Sequence, residues 1–456
     1  MIHAWEEKRD EIRELLAQRR FQAVRCVLIE MNAVDIAALL DTLEEEQQPF
    51  LYRLLPKETA AETFAYLESE TQETLIHAFT EREVKAIMED LYADDVADML
   101  EEMPANVTKR LLRAASAEKR KEVNQLLQYP EDSAGSVMTT EFVDLKADMT
   151  VAEAFQYIRK NGPDTEAIYT CYVTDENRQL QGVVSVKELL LAHENDRVGE
   201  QMETHVFSVS TLEDQEQVAQ LFARYDLLAL PVVDSEGRLV GMITVDDVVD
   251  ILQQETTETV EKLAAITPTD KSYFRTGVWT TFCKRVPWLL LLMLSSTFTG
   301  IIITSFEKTL MKSVVLTAFI PMLMGTGGNS GSQASVTVIR SLALGDIRFR
   351  DAFRVVIKES QVAFLCGAVL AAVNFLKMLV VDSWLLGVDV STGVALVIAG
   401  TLLATVMIAK VVGGLLPLLA KRVGVDPAVM ASPFITTIVD VVSLLVYIGF
   451  AQWILY

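Results

Sequence analysis

Five apolar segments, roughly 286–306, 313–339, 360–381, 391–420 and 428–455, fill the end of the chain. Each matches or exceeds the about 20 residues that a helix needs to cross a bilayer. An unpaired backbone amide is costly in hydrocarbon, so such segments take the one open form that pairs its own hydrogen bonds, the helix. Residues 285–456 are therefore expected to form an all-α membrane domain with five transmembrane helices. An odd number of spans puts the termini on opposite sides. Lys284 and Arg285 precede the first span. Arg340, Arg348, Arg350, Arg354 and Lys358 separate the second from the third, and Lys421 and Arg422 the fourth from the fifth. The alternate loops hold only Lys308, Lys312 and Lys377. Basic loops stay in the cytoplasm, which puts the N-terminus and the soluble domains inside and the C-terminus outside.

Charge divides as hydropathy does. From Lys271 onward the chain has 15 basic and 8 acidic residues, net +7, against 25 and 55 before it, net −30. So acidic a soluble part repels nucleic acid and attracts cations. Cys26, Cys171, Cys283 and Cys366 are scattered, without a CxxC pair or clustered histidines. That argues against a disulfide framework and a zinc site. The N-terminus, MIHAWEEKRDEIRELL, is charged and helical in pattern, unlike a signal peptide. No HExxH, GxSxG or P-loop occurs, and the histidines lie outside the spans, so nothing points to an enzyme.

Ser313–Ile339 carries no charge, yet it contains PMLMGTGGNSGSQ at 321–333. Pro321 weakens a helix, and Gly325, Gly327, Gly328 and Gly331 let the chain leave it or pack closely. A broken helix would line a water-filled path with its carbonyls and Asn329. Alternatively, the small residues form a helix-packing face. Asp440 favours the path. It is the only charged residue of the last span and lies 14 residues past Asp426, about 21 Å along a helix. A carboxylate at that depth marks a functional site by default. The structural alternative is a salt bridge to Lys410, the basic residue of the fourth span. In a two-fold dimer one such acid per chain becomes a pair facing the axis. Mg²⁺ dehydrates reluctantly and often touches only one or two carboxylates, and Ser432, Thr436 and Thr437 could contact its water shell.

PMLMGTGGNSGSQASVTVIRSLALGDI and DPAVMASPFITTIVDVVSLLVYIGF resemble the MgtE family of magnesium transporters and channels, and the likeness covers essentially the full chain. It implies a homodimer in which each chain gives five membrane helices to one ion path in a bacterial cytoplasmic membrane. Asp440 is then the pore acid, and Gly325, Gly328, Asn329, Ser432 and Thr436 line the pore. Ser432 stands where a relative carries asparagine.

Residues 131–254 read as two copies of one unit. DENRQLQGVVSVKELL from Asp175 matches DSEGRLVGMITVDDVV from Asp234 at a constant offset of 59. Strand, turn, strand and a helix starting at Ser or Thr recur in each. This resembles an α/β tandem CBS pair, a regulatory module that often binds nucleotides near its Ser/Thr-x-x-Asp/Glu motifs, here Ser185/Glu188 and Thr244/Asp247, which leaves ATP or another adenine nucleotide open as a ligand. Some relatives stack adenine between aromatic rings. Thr170 and Leu227 occupy those positions here, with Tyr169, Tyr172 and Tyr225 near. Residues 1–130 show apolar pairs every 12 residues, such as Leu39/Leu40, Leu75/Ile76, Ile87/Met88, Met99/Leu100 and Leu111/Leu112. Units so short cannot bury their apolar faces alone, and stack into an acidic helical superhelix.

The family resemblance supplies the wiring. Mg²⁺ binds between the N-terminal domain and the CBS pair and holds the cytosolic dimer closed. The matching acids are Glu62, Asp94, Asp98, Glu216, Asp226, Asp247 and Asp250. Residues 255–284 resemble a plug helix that connects to the membrane domain, and Glu255 and Glu258 face Asp426 across a further metal. The alternative is a CBS-regulated secondary transporter for Co²⁺, Mn²⁺ or another solute.

Overall fold

The computed structural model describes residues 4–269, 273, 276–307, 311, 315–385, 391–429 and 432–455. It divides into two compact units, Met1–Leu252 and Gln253–Tyr456.

The first unit opens with short helices: α1 (Ala4–Ala17), α2 (Phe21–Ile29), α3 (Ala33–Asp41), α4 (Gln48–Tyr52), α5 (Lys57–Ala65), α6 (Ser69–Ala78), α7 (Glu81–Asp90), α8 (Ala93–Glu102), α9 (Ala105–Ala114) and α10 (Ala117–Leu126). From α5 onward each starts 12 residues after the last, the period of the apolar pairs. Leu75, Met88, Leu100 and Leu111 are buried, while Ile87 and Leu112 are only partly covered. Helices pack on those two places along: α5 on α3 and α7, α7 on α9, α8 on α10. Stacking thus hides apolar faces that a ten-residue helix cannot hide alone. Thr80 starts α7 with a capping box to Glu83, and Ser116 starts α10 by accepting the Lys119 amide.

Two small sheets follow. β1 (Phe142–Leu145), β2 (Ala167–Thr174) and β3 (Leu180–Ser185) form one, and β4 (Val209–Ser210), β5 (Ala229–Val233) and β6 (Leu239–Thr244) the other. In both the first pair is parallel and the second antiparallel. The parallel connections run through α11 (Val151–Asn161) and α14 (Gln215–Tyr225), while α12 (Val186–Leu191), α13 (Val198–Gln201) and α15 (Val245–Leu263) follow the last strands. The 59-residue repeat governs the turns atom by atom. Asp175 accepts the amides of Asn177 and Gln179, and Asp234 those of Glu236 and Arg238. The left-handed position after each is Arg178 in one copy and Gly237 in the other. The matched glycines Gly182 and Gly241 both let a neighbouring strand approach: a Cβ would lie 2.9 Å from the Glu203 carbonyl oxygen and 2.7 Å from that of Thr139.

The second unit is helical: α16 (Val278–Ser305), α17 (Val315–Ala343), α18 (Ala352–Lys377, extended by π-helical turns over Met378–Leu385), α19 (Thr392–Val423) and α20 (Ser432–Leu455). Val278–Ser305, Phe349–Val381, Thr392–Val423 and Pro433–Leu455 are long and apolar enough to cross a membrane. α17 has 29 residues, about 43 Å of helix, but its glycines, serines and threonines dilute its apolarity. Four helices, not five, therefore meet both criteria among the described residues. The expected break at Pro321–Gly331 is absent, and α17 runs unbroken through it. Pro321 lies in the second turn of the helix as described, where few carbonyl partners precede it. Residues 255–284, expected as one connecting helix, divide instead: 255–263 complete α15, 278–284 open α16, and 264–269 between them are not helical. The remainder of that stretch is described only at 273, 276 and 277, and Lys308 and Lys312 lie outside the described residues.

Candidate metal-sensing cluster and membrane path

In the first unit the acids gather where α8 and α15 begin. Asp94 and Asp95 sit in the first turn of α8, and Asp246 and Asp247 in the first turn of α15. The helix dipole favours negative charge at those ends, which explains why the sequence can place acids there despite their mutual repulsion. Asp94 is 8% exposed. Burial raises its carboxyl well above the ordinary range, and Glu166, Asp95, Asp247 and Glu141 add to the rise. Burial also pushes Glu166 up to about 7, opposed by a Thr139 hydrogen bond and aided by Asp247, Asp246 and Asp95. Asp95 is pushed to about 6 by burial and Glu141, with Lys119 easing the strain. Asp247 reaches about 6 through burial, opposed by its Thr244 bonds and aided by Asp246 and Asp95. Asp98 keeps an open surface. Its crowded surroundings raise it through desolvation, with Glu101, Asp95 and Asp247 adding, and the exposure limits that rise. Asp250 is raised by desolvation and by Asp246. Glu62 borders the same group: the Tyr66 hydroxyl, raised first by burial, also responds to Glu62, Asp246, Asp95 and Asp250.

Asp94 Oδ1 and Glu166 Oε2 are buried without a hydrogen-bond partner. A cation would satisfy both, since an opposite charge favours the ionised forms. Among the described residues no three such groups come close enough to chelate one ion directly. The residues present therefore fit Mg²⁺ held through its own waters, which needs only one or two carboxylates. One resident cation is present: Lys119 Nζ lies 3.0 Å from Glu141 Oε1, which also accepts the Ala93 amide at 3.2 Å. Asp95, Glu141, Glu166, Asp246 and Lys119 escaped the sequence reading. Asp95 and Asp246 were visible as neighbours of Asp94 and Asp247 in Asp-Asp pairs, whereas Glu166 carries no local signal. Glu216 and Asp226 stand at opposite ends of α14, about 15 Å apart, and neither is among the acids that raise Asp94 or Asp247.

The two Ser/Thr-x-x-Asp/Glu motifs are helix caps. Glu188 accepts the Ser185 amide at 2.7 Å and hydroxyl at 2.8 Å, and Asp247 accepts the Thr244 hydroxyl at 2.5 Å. Asp247 thus belongs to a cap and to the acidic cluster at once. Tyr172 is fully buried and Tyr225 already stacks on Phe207, ring centroids 4.3 Å apart. That leaves Tyr169, 69% exposed, beside Thr170, which pairs with Ser185 across β2 and β3.

In the second unit α17 has two unlike faces. Gly327, Gly328 and Gly331 are buried. A Cβ on Gly327 would meet Thr405 and Val439 at 2.6 and 2.8 Å, one on Gly328 Thr436 at 2.9 Å, and one on Gly331 Ile435 at 2.6 Å. Gly413 of α19 comes closest, where a Cβ would lie 2.2 Å from the Gly331 carbonyl oxygen. Close packing is therefore the work of these glycines, and the pore-lining role expected of Gly328 is corrected within this chain: it is covered by α20. Pro321, Gly325, Asn329, Gln333 and Thr337 recur every four residues on an exposed face, and Gly325 has nothing near it. A polar stripe on an apolar helix requires water or protein against it in a bilayer.

Asp440 is half-buried on α20. Among the described residues no ion pair or hydrogen bond reaches its carboxylate, and Lys410, 5% exposed, is not its partner. The Thr436 and Thr437 hydroxyls donate to the Pro433 carbonyl at 2.9 and 3.0 Å; the Thr437 oxygen also lies 3.2 Å from the Ser295 hydroxyl, which leaves Thr436 the freer acceptor for a hydrated ion. The Ser432 side chain lies outside the described residues. Where α17 and α19 end, near the start of α20, Lys421 donates to the Leu342 carbonyl at 3.3 Å and Arg422 lies over the Phe349 ring at 4.4 Å. The two basic loops thus meet at one end of the unit. Glu255, Glu258 and Asp426 belong to this unit too, and Lys262 Nζ lies 2.9 Å from Glu258 and 3.2 Å from Asp426. An ammonium therefore stands where a metal was expected.

Known proteins share these features. Residues 31–132 match the MgtE intracellular N domain, 134–195 and 198–254 the CBS domain, and 320–450 the MgtE divalent cation transporter domain. The magnesium transporter MgtE of Thermus thermophilus is 39% identical over 448 residues, 97% of this chain and 98% of its own length. That of Bacillus subtilis is 33% identical over 439 residues, 96% and 95%. The solved cytosolic domain of the Mg²⁺ channel MgtE in complex with ATP covers 53% of this chain and 99% of its own, with 41% identity and a TM-score of 0.51. The solved soluble part of a magnesium transporter covers 55% and 99%, with 28% identity and a TM-score of 0.52.

Proposed function

The chain belongs to the MgtE family of divalent cation transporters, and we propose on that premise that it passes Mg²⁺ across a membrane and closes as cytosolic Mg²⁺ rises. The carrying observation is the Asp440 carboxylate, half-buried in an apolar helix without a partner among the described residues. An unpaired acid there attracts a cation, and a single one holds it weakly enough to release it. The exposed stripe through Gly325, Asn329 and Gln333 supports a homodimer, whose second copy would face it and enclose the path. The two basic loops meeting at one end support a cytoplasmic placement of that end, with five spans once α17 is counted. The relatives are named as transporters, and no catalytic step is assigned.

Closure is an equilibrium between a compact and an open arrangement, shifted by the difference in Mg²⁺ affinity between them. Asp94, Asp95, Glu166 and Asp247 repel one another in the compact arrangement until a cation neutralises them. Adenine nucleotide binding near Ser185 and Tyr169 is a second part of the proposal, supported by the relative solved with ATP.

The test is Mg²⁺ flux into proteoliposomes, comparing intact protein with Asp440→Ala while Mg²⁺ on the cytoplasmic side is varied. Flux that needs Asp440 and falls with cytoplasmic Mg²⁺ supports both halves of the proposal. Flux unchanged in Asp440→Ala overturns the path. Flux that requires an imposed proton or Na⁺ gradient favours the secondary transporter.

A further inference from the structure

The join between α15 and the connection from α19 to α20 is built around one lysine. Lys262 follows Glu258 by one helical turn, the favourable order for an acid and a base on a helix. Its ammonium also reaches Asp426 Oδ2, while Asp426 Oδ1 accepts the Ala428 amide at 2.8 Å. Both oxygens of Asp426 are thus engaged, and the acid is held in place before any metal arrives. The chain beyond Lys262 is fixed as well. Ala265 turns through the left-handed region, Glu261 accepts the Thr269 amide at 3.0 Å, and Thr267 accepts the Trp288 indole N–H at 3.3 Å. Lys284 donates to the Pro268 carbonyl.

We propose that Lys262 is a tethered cation that bridges Glu258 and Asp426 in a metal's stead, so that this join holds without Mg²⁺. Its two contacts put the bonded carboxylate oxygens no more than about 6 Å apart, with the ammonium between them. A divalent ion drawn to the same two oxygens must displace that ammonium, so metal and lysine compete for one place. Where the acids of the first unit leave buried oxygens unpaired, those at this join are already neutralised in part. The consequence for gating rests on the function proposed above: the join is a standing linkage that carries motion into the membrane helices, and the response to Mg²⁺ lies elsewhere. The bridge itself is testable without any flux.

The experiment is hydrogen exchange on the full-length protein in lipid nanodiscs, read over 255–263 and 425–429, in EDTA and in saturating Mg²⁺. In the intact protein Mg²⁺ changes exchange there by no more than about twofold. Lys262→Met keeps the aliphatic stem, removes the charge, and speeds exchange in EDTA by about fivefold, the scale of a half-exposed ion-pair network. Mg²⁺ then restores protection in that variant, while Lys262→Arg behaves as the intact protein. Slowing of fivefold or more by Mg²⁺ in the intact protein overturns the proposal. So does unchanged exchange in Lys262→Met, or a loss that Mg²⁺ does not restore. Exchange over α11 reports whether each variant is folded. A protein that carries no Mg²⁺ but shows this exchange pattern would sink the transport reading and leave the bridge standing.

Discussion

Negative charge is handled in opposite ways in the two units. Around the starts of α8 and α15 the first unit crowds Asp94, Asp95, Glu166, Asp246 and Asp247, and burial together with this crowding raises the proton affinities of Asp94, Asp95, Glu166 and Asp247. The second unit places one acid, Asp440, deep in an apolar helix without a partner among the described residues. The crowd stores repulsion that cations or protons relieve, which makes its arrangement respond to their concentration. The solitary acid stores no such repulsion within its own chain, and its single charge suits an ion that must bind and leave. Under the proposed function, the first unit is the part that shifts and the second the part through which the ion passes.

The widest separation comes from Asp440→Asn. Flux is expected to fall by about a hundredfold or more, the loss of an intramembrane charge worth a few kcal/mol. Protection of the α8 and α15 starts by Mg²⁺, read by hydrogen exchange, stays as in the intact protein. If both change together, the two units are not separable and the comparison fails.

A packing test comes next and stays within the membrane unit. Gly413→Ala puts a methyl about 2.2 Å from the Gly331 carbonyl oxygen, so α17 and α19 must part, at about 1–3 kcal/mol. Gly325→Ala meets nothing within 4 Å and replaces a helical glycine, so stability is unchanged or rises by up to about 1 kcal/mol. Thermal unfolding of the purified protein separates the two. Equal losses would mean that the glycine run serves a broken or wet helix rather than close packing.

These outcomes bear on what the sequence made legible. The 12-residue spacing of apolar pairs gave the helix starts from Lys57 to Ala117, because a helix that short has one way to hide its face. The 59-residue repeat gave the antiparallel strand pair of each sheet down to the Asp175 and Asp234 turns, but not the parallel first strands, which do not keep that spacing. Pro321 and four glycines suggested a broken helix, yet neighbouring helices supply the packing that keeps α17 continuous, and no local pattern reveals a neighbour. Asp94 and Asp247 were legible through their helix positions. Glu166 joins them only because β2 is preceded by a loop that passes α8 and α15, a tertiary fact. Lys262 was overlooked for a chemical reason: the family resemblance implied a metal between these acids, and a lysine one turn from Glu258 can serve the same electrostatic end.

Asp94→Asn with Asp247→Asn tests the crowded side. Each amide removes a ligand and a repelling charge together, so the equilibrium loses part of its dependence on Mg²⁺. Flux at low cytoplasmic Mg²⁺ persists, and the ratio of flux at low to high Mg²⁺ falls by about three- to tenfold, the range of 1–1.4 kcal/mol of lost coupling. An unchanged ratio would remove these acids from the response.

The smallest effect expected is also the most direct reading of stored repulsion. Glu166 ionises near 7 and Asp95 and Asp247 near 6 in the folded unit, against about 4 in an unfolded chain. Between those values the folded form binds more protons, so its stability is greatest below about pH 4 to 5 as far as these groups decide, and is lost as pH rises through 6 and 7. Glu83, lowered to about 2 chiefly by its Arg53 hydrogen bond, works in the opposite sense, but its contribution is lost only as pH falls below about 4, outside this window. In EDTA the unfolding midpoint of the soluble unit should therefore be a few degrees higher at pH 6 than at pH 8. Mg²⁺ neutralises the same acids without protonating them, so it should raise the midpoint more at pH 8 than at pH 6 and release protons as it binds near pH 6.5. A midpoint that rises from pH 6 to pH 8 in EDTA would mean that the crowd carries no strain, and the contrast with the solitary acid of the membrane unit would lose its physical basis.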